Sequence, residues 1–164
     1  MQGMTRRERQ ITDRNQILDI LDRAGVLRLG LAVNNEPYVV PMNYGYTMED
    51  GKLVIYLHSA TRGKKLDMIR ENPRVFFELD CDLIPFEGKV ACQYGLSYSS
   101  VMGRGEARIV EDVEEKKKAM SILMKTQTRK DFAFEDRLVS IVTVIRIDVA
   151  EYTAKHRPLP EKMR

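Results

Sequence analysis

Short segments in which hydrophobic and polar residues alternate recur along the chain, and this period of two predicts β-strands. The clearest case puts four apolar side chains on one face between Leu27 and Val33. Strands are predicted in the following segments: 26–33, 38–47, 53–58, 74–80, 90–112 and 139–153. Turn sequences separate the first three, which are interpreted as an antiparallel meander, and residues 81–89 are expected to form a loop. Gly103 and Gly105 indicate a bend or bulge in the long fifth segment.

Three other segments show helical patterns. Asp13, with Gln16 three residues later, is the expected N-cap of one helix, and Asp112 begins another in the same way. A third helix is predicted over residues 64–72, because Pro73 follows it. Many strands joined by short turns, with few helices, predict a closed antiparallel β-barrel with peripheral helices, an α+β fold, rather than a parallel sheet.

The chain is expected to form one domain over residues 1–164, with a basic N-terminal arm at 1–10 and a C-terminal tail at 155–164. Its 164 residues, 43% of them hydrophobic and 31% charged, suit a single soluble core. The net charge of +3 is spread along the chain, so nucleic acid is not expected as a partner. No segment approaches the roughly 20 apolar residues of a membrane helix, and the start lacks the apolar core of a signal peptide. A cytoplasmic protein without membrane contact is therefore expected.

Several kinds of chemistry receive no support from the motifs. The chain has two histidines and two cysteines, far apart, so no zinc or other metal site is expected. Neither a G-x-S-x-G nucleophile elbow nor a G-x-G-x-x-G dinucleotide motif occurs.

Hydroxyl and cationic side chains gather where the third strand passes into the short helix, in the sequence HSATRGKK from His58 to Lys65. A helix N-terminus attracts anions, because its first N–H groups are unpaired and carry the positive end of the helix dipole. With O–H donors on Ser59 and Thr61, three cations and the open backbone of Gly63, the segment predicts a site for one phosphate group. The alternative is that Ser59 or Thr61 merely caps the helix, that the lysines are solvated, and that His58 is structural.

Two further segments have compositions that suit a ligand. Residues 39–46, VVPMNYGY, place backbone groups freed near Pro41 where they can bond the polar edge of a planar ring, with Met42 or Tyr44 packed on its face. Residues 92–105, CQYGLSYSSVMGRG, are small or hydroxylated where a barrel strand normally carries bulk, which lets a ligand or a second backbone come close. A distorted strand and a bulge beside a turn explain the two segments equally well.

Taken in order, these segments resemble the pyridoxamine 5'-phosphate oxidase-like flavin-binding proteins, and within them the nitroimidazole-resistance-type branch. The stretches that carry the resemblance are PYVVPMNYGY, YLHSATRGKKLDMIRENPRVFFELD and CQYGLSYSSVMGRGEARIVED. The opening residues 6–44 and the closing residues 142–158 fit the same pattern, so the resemblance covers nearly the whole chain. It implies a split β-barrel of Greek-key-like antiparallel strands, a homodimer, and FMN in two equivalent clefts between the subunits.

Carried over by position, the resemblance also implies three groups of cofactor-binding residues. The first would lie along the isoalloxazine ring, the second would surround the phosphate, and the third would come from the partner subunit. In that order they are Val40, Pro41, Met42, Asn43 and Tyr44; His58, Ser59, Ala60, Gly63, Lys64 and Lys65; and Tyr98, Ser99 and Ser100.

The function that the resemblance implies is an FMN-dependent oxidoreductase. Reduced FMN would pass a hydride or electrons to a small, planar, electron-poor substrate such as a nitro compound, with His58 as a candidate proton donor. The C-terminal sequence KHRPLPEKMR has no clear match to the second phosphate site of the members that oxidise pyridoxamine phosphate, which disfavours that activity. The rival hypotheses are a non-catalytic flavin or haem carrier and an OB-like binder of single-stranded nucleic acid.

Overall fold

The computed structural model describes residues 5–161, in which eight strands pair into one antiparallel sheet and four α-helices pack against it. The elements are β1 (Gln10–Ile11), α1 (Arg14–Arg23), β2 (Leu27–Val33), β3 (Glu36–Met42), β4 (Tyr44–Glu49), β5 (Lys52–Ser59), α2 (Lys64–Glu71), β6 (Arg74–Phe86), β7 (Gly95–Val110), α3 (Val113–Thr128), α4 (Asp136–Ser140) and β8 (Thr143–Arg157). Single 3₁₀ turns precede β1 and β7. Within residues 5–161, no helix combines the length and the apolarity that crossing a membrane requires.

The order of the strands makes the sheet a split barrel rather than a closed one. The order is β3-β2-β6-β7-β8-β5-β4, and β1 pairs with the far end of β8. Because β3 and β4 at the two ends do not pair, the predicted complete closure is wrong. Only Asn43 separates these two strands in the chain, so the two edges of the sheet still meet at this residue. The predicted meander is wrong at the same point, because segment 38–47 divides at Asn43 into strands at opposite ends of the sheet.

Other predicted boundaries also change. The expected loop at 81–89 is mostly strand, since β6 runs to Phe86 and keeps its pairing with β7 through an irregularity between Cys81 and Ile84. Segment 139–153 begins in helix α4, and the periodicity missed this because α4 is only five residues long.

The two termini need a similar correction. The expected C-terminal tail begins inside β8, which continues to Arg157 because residues 155–157 pair with β7. In the expected N-terminal arm, Gln10 pairs with Lys155 of β8. Residues 1–4 of the arm and residues 162–164 of the tail lie outside the described part of the chain.

The helix starts predicted at Asp13 and Asp112 are confirmed. The Asp13 carboxylate accepts a hydrogen bond of 2.9 Å from the backbone N–H of Gln16, and the Asp112 carboxylate accepts one of 2.8 Å from that of Glu115. Each bond satisfies one of the N–H groups that a helix start leaves unpaired. Both helices are therefore capped at their N-termini by aspartate side chains.

The core fills the interior of the split barrel, and a second apolar cluster lies outside it under α3. The interior is lined by the inward faces of the strands and covered by α1 and α2; its fully buried members include Leu27, Leu29, Tyr44, Ile55, Leu57, Leu66, Phe77, Leu79, Ile145 and Ile147. The outer cluster consists of Val54, Tyr56, Val110, Ala119 and Val144. A Cβ added to Gly45 would lie 2.4 Å from the Cα of Leu123, so the backbone of α3 rests directly on β4. This contact fixes the C-terminal end of α3 beside Asn43.

Candidate functional site

The end of β5 and the junction of β3 with β4 lie side by side. In the β4–β5 ladder, Tyr44 pairs with Leu57 and Gly45 with Tyr56, so the next residues in register, Asn43 and His58, are neighbours. The structure thus brings together two of the three residue groups named from the sequence, the segment 40–44 and the segment 58–65.

Ser59 ends β5 with a buried hydroxyl that has no partner. Its relative exposure is 7%, and no group in residues 5–161 forms a hydrogen bond with its Oγ. Because successive strand residues face opposite sides of a sheet, His58, which is half-buried, points away from Ser59. A buried, unpaired hydroxyl costs about 1–3 kcal/mol, so a ligand that bonds it would recover this free energy.

The start of α2, five residues farther on, is also left open. Its N-cap is Gly63, with φ 140°, and no side chain caps the helix. The alternative that Ser59 or Thr61 caps this helix is therefore wrong. A Cβ added to Gly63 would meet nothing within 4 Å, so the space beside the N-cap residue is free of described atoms. An uncapped helix start with open space beside its N-cap suits an anion.

Three cations surround this helix start without carboxylate partners. Within residues 5–161, Arg62, Lys64 and Lys65 form no ion pair. The Nζ of Lys64 lies 4.8 Å from the centre of the Tyr38 ring, which places the helix start against β3. Ala60 is exposed, and Lys65 is half-buried. The positive charge at this helix start is therefore not neutralised by a carboxylate of residues 5–161. We call the region formed by the end of β5, the start of α2 and the β3–β4 junction the corner.

The segment 40–44 presents backbone, one exposed proline and one exposed amide. Val40 and Met42 face the core, whereas Pro41 and Asn43 are exposed. Tyr44 is fully buried, and its hydroxyl donates a hydrogen bond to the carbonyl of Leu21. Burial raises the pKa of Tyr44 far above the ordinary value of a tyrosine. A ring bound here would therefore meet the backbone of this segment rather than the phenol of Tyr44.

The third predicted group, Tyr98 to Ser100, is separated from Ser59 by most of the length of β8. Ser59 pairs with Thr143 at the start of β8, whereas Ser100 pairs with Lys155 near its end. Twelve residues of β8 separate the two positions, roughly 40 Å along the strand at about 3.3 Å per residue.

The three side chains also face different ways. Ser99 is buried, and its Oγ lies 3.0 Å from Nδ1 of His156. Tyr98 and Ser100 are half-buried and belong to the opposite face of β7. Only these two can reach beyond the barrel interior.

Two residues of the corner were not identified from the sequence. Tyr38 lies under Lys64, and Gln127 of α3 contacts both Asn43 and Tyr44. Tyr38 belongs to the segment PYVVPMNYGY, but nothing in the sequence distinguishes it from the other tyrosines there. Gln127 lies 84 residues after Asn43, and a single glutamine near the end of a helix carries no signal of its own.

Comparison with known families agrees with this architecture. Residues 13–156 match the family model described as pyridoxamine 5'-phosphate oxidase. The chain belongs to this family. This match confirms the resemblance noted in the sequence. A separate comparison with curated proteins finds no match.

Several solved structures have a similar fold, and one of them is also similar in sequence. A candidate 5-nitroimidazole antibiotic resistance protein from Bacteroides thetaiotaomicron is 32% identical, with a TM-score of 0.76 over 90% of this chain and 86% of that one. The flavocytochrome Anf3 from Azotobacter vinelandii is 17% identical, with a TM-score of 0.77 over 96% of this chain and 73% of that one. The FAD and haem binding protein from Mycobacterium smegmatis is 15% identical, with a TM-score of 0.77 over 93% and 76%. The last two show the fold alone.

Proposed function

We propose that this chain binds FMN at the corner formed by β5, α2 and the β3–β4 junction, and that the flavoprotein reduces a small, planar, electron-poor substrate. The unpartnered, buried Oγ of Ser59 is the observation that carries the proposal. Nothing within residues 5–161 satisfies this hydroxyl, and it lies four residues before Gly63, the N-cap of a helix start that is itself uncapped. A phosphate group has enough oxygens to bond both.

The phosphate would be held by charge and by N–H and O–H donors together. Ser59 would donate its hydroxyl hydrogen, the first N–H groups of α2 would donate theirs, and Lys64 and Lys65 would supply the charge. Ala60 and Gly63 would contribute backbone at close range. FMN is favoured over a flavin without phosphate, because only the phosphate uses these groups.

The ring would extend from the phosphate toward Asn43, which lies next to His58 in the register of the sheet. Val40, Pro41 and Met42 would contribute their backbone along one side of it. His58 faces the α3 side of β5, where it is half-buried, and would be the candidate proton donor to a bound substrate. FMN, when bound, supplies the two-electron redox chemistry that the side chains lack.

A second copy of the chain would complete the cleft. Following the resemblance, the proposal assigns Tyr98 and Ser100, with the backbone of Ser99 between them, to the partner's site, because Tyr98 and Ser100 point away from the interior whereas the side chain of Ser99 is buried. The outer face of the sheet exposes Val39 by 64% and Phe76 by 39%, beside a depression of about 590 Å³. Such an apolar face suits a subunit contact. Val39 and Pro41 share the exposed face of β3, so a subunit placed there would lie beside the corner.

The binding test compares FMN with riboflavin, which has the same ring and no phosphate. The wild-type protein should bind FMN at least about tenfold more tightly, and Lys65→Ala or Ser59→Ala should each remove about 1–3 kcal/mol of FMN binding while leaving riboflavin nearly unchanged. Lys130→Ala is the matched control, because Lys130 is exposed and its ammonium forms no ion pair with a described residue. Equal affinity for both flavins in the wild type would contradict the phosphate site.

The reaction test uses the FMN-loaded protein without oxygen. We expect NAD(P)H or dithionite to bleach the flavin absorbance and a nitroimidazole to restore it. If the flavin is reduced but no nitro compound reoxidises it, the protein would be a flavin carrier rather than an enzyme that reduces nitro compounds. Sedimentation of the same sample should give a dimer, and a monomer that retains FMN would contradict the shared cleft.

A further inference from the structure

The side-chain amide of Asn43 has an orientation that the surrounding groups determine. The Nε2 of Gln127 donates a hydrogen bond of 2.7 Å to the backbone carbonyl of Tyr44. A backbone carbonyl can only accept, so the nitrogen of Gln127 faces Tyr44 and its Oε1 faces Asn43. Oε1 in turn accepts a bond of 3.3 Å from the Nδ2 of Asn43. The Oδ1 of Asn43 is the atom left over, and no described residue donates to it.

A second acceptor supports the same orientation. The Nδ2 of Asn43 also lies 3.5 Å from the carbonyl oxygen of Gly25, at the end of α1. Both contacts of the amide nitrogen are therefore with acceptors, and reversing the amide would set oxygen against oxygen at each of them. The exposed position of Asn43 leaves Oδ1 open to a ligand.

Gln127 itself is held in place by the packing of α3. Arg129, which follows the helix, donates a hydrogen bond of 2.9 Å to the carboxylate of Asp22 in α1. The helix backbone also rests on Gly45. The C-terminal turn of α3 is thus fixed both to β4 and to α1, so Gln127 has little freedom to turn.

We infer that Gln127 is a positioning residue that turns the Oδ1 of Asn43 toward the ligand, so that the site selects a ring edge carrying an N–H donor. The inference rests on the proposed FMN site and goes further, because it states which edge of the ring is read and how. The isoalloxazine ring of oxidised flavin has one such donor, N3–H, between two carbonyl groups. An acceptor placed by Gln127 matches that hydrogen, whereas the N–H face of the same amide would not.

The test measures the ratio of the dissociation constants of N3-methyl-FMN and FMN in the full-length protein. We expect a ratio of about ten in the wild type, about three in Gln127→Met and about one in Gln127→Lys. Methionine removes the nearer acceptor and leaves only the 3.5 Å contact with the Gly25 carbonyl to favour the outward Oδ1, so the preference weakens. A lysine at this position donates to the Tyr44 carbonyl and to Oδ1, which turns Nδ2 outward. In an Asn43→Ala background, the three side chains at position 127 should all give the same ratio.

Controls separate this inference from loss of structure and from failure of the proposed site. Lys130→Met, which changes an exposed side chain just past the same helix, should keep the wild-type ratio and melting temperature. A ratio that is equal in the wild type, Gln127→Met and Gln127→Lys overturns the inference, as does a difference that persists in the Asn43→Ala background. In both cases tight FMN binding would leave the proposed function intact. No FMN binding in the wild type overturns both.

Discussion

The polar groups around α3 have partners within the chain, whereas those at the start of α2 have no side-chain hydrogen bond or ion pair among residues 5–161. At α3, Asp112 caps the first turn, and the cations Lys117, Lys118 and Lys125 each pair with a carboxylate. At α2, Gly63 provides no side-chain cap, and the cations beside it have no carboxylate partner within residues 5–161. The difference is not one of composition, because both helices begin in hydrophilic, lysine-containing sequence.

The two regions therefore differ in whether their polar groups are already paired. Around α3 the polar groups satisfy one another, down to Arg146, whose guanidinium bonds to Glu49 at 2.8 Å and to the hydroxyl of Tyr56 at 3.0 Å. Around the start of α2, the buried hydroxyl of Ser59 has no partner within residues 5–161, the helix has no side-chain cap, and the cations have no carboxylate partner. The first region contributes stability to the fold, whereas under the proposed function the groups of the second gain their partner when the phosphate binds.

We call the surroundings of α3, whose polar groups are paired, the closed region, and the start of α2 the open region. The largest expected effect comes from adding one methyl group to the closed region. Gly45→Ala would place a Cβ 2.4 Å from the backbone of Leu123, so α3 would have to move off β4. We expect a loss of about 3 kcal/mol in the free energy of unfolding, measured by urea denaturation. Gly63→Ala is the counterpart in the open region: its Cβ meets nothing, and only the φ of 140° opposes it, at about 1 kcal/mol. Equal losses in both variants would remove the distinction.

Two buried serines should respond with opposite signs. Ser97 donates its hydroxyl hydrogen to the carbonyl of Arg157 at 2.8 Å, whereas the hydroxyl of Ser59 has no partner. Without ligand, Ser97→Ala should therefore destabilise the protein by about 1 kcal/mol and Ser59→Ala should stabilise it by a similar amount. With saturating FMN the sign for Ser59→Ala should reverse, because the variant binds the ligand less tightly. Thermal unfolding with and without FMN measures both.

The outcome for Ser59 is the more informative of the two. Destabilisation of the ligand-free protein by Ser59→Ala would mean that the hydroxyl already has a partner in solution. Ser59 would then have no unpaired hydroxyl to offer a phosphate, which would contradict the proposed phosphate site.

Capping gives a smaller contrast between the two helices. Asp112→Ala should cost about 1 kcal/mol of stability, because it leaves the N–H of Glu115 without its 2.8 Å partner. Thr61→Ala, before the uncapped helix, should change the free energy of unfolding by less than about 0.5 kcal/mol. A cost at Thr61 equal to that at Asp112 would show that α2 is capped after all.

The sequence predicted local features well and long-range ones less well. The caps at Asp13 and Asp112 were correct, because capping depends on residues three positions apart. The division at Asn43 was not predicted. Residues 38–47 continue the strand pattern, and only the pairing partners on each side, Leu27 with Met42 and Leu57 with Tyr44, separate them.

The site divides along the same line. Segments 40–44 and 58–65 were named from composition and from the resemblance, and the register of β4 with β5 brings them together. The state of Ser59 was not predictable, because an unpaired hydroxyl is a property of every neighbour at once. Gln127 was missed since its role arises from the packing of α3 on Gly45, a contact between distant parts of the chain.

The smallest expected effect is a pH dependence that arises from Glu49 in the closed region. Hydrogen bonds from Lys118, and also from Arg146, lower the pKa of the Glu49 carboxyl below its ordinary value of 4.5. Its contribution to stability, up to about 1 kcal/mol for a partly exposed pair, is present above that ordinary pKa and is lost as the pH falls through the lowered one. Glu49→Gln should therefore be less stable near pH 7 but should lose less between about pH 5 and about pH 3. Urea denaturation across this range measures the effect, and Glu36→Gln, on the exposed edge of β3, is the control. If the stability of Glu49→Gln and of the wild type changed with pH in parallel, the role of this carboxylate would be contradicted.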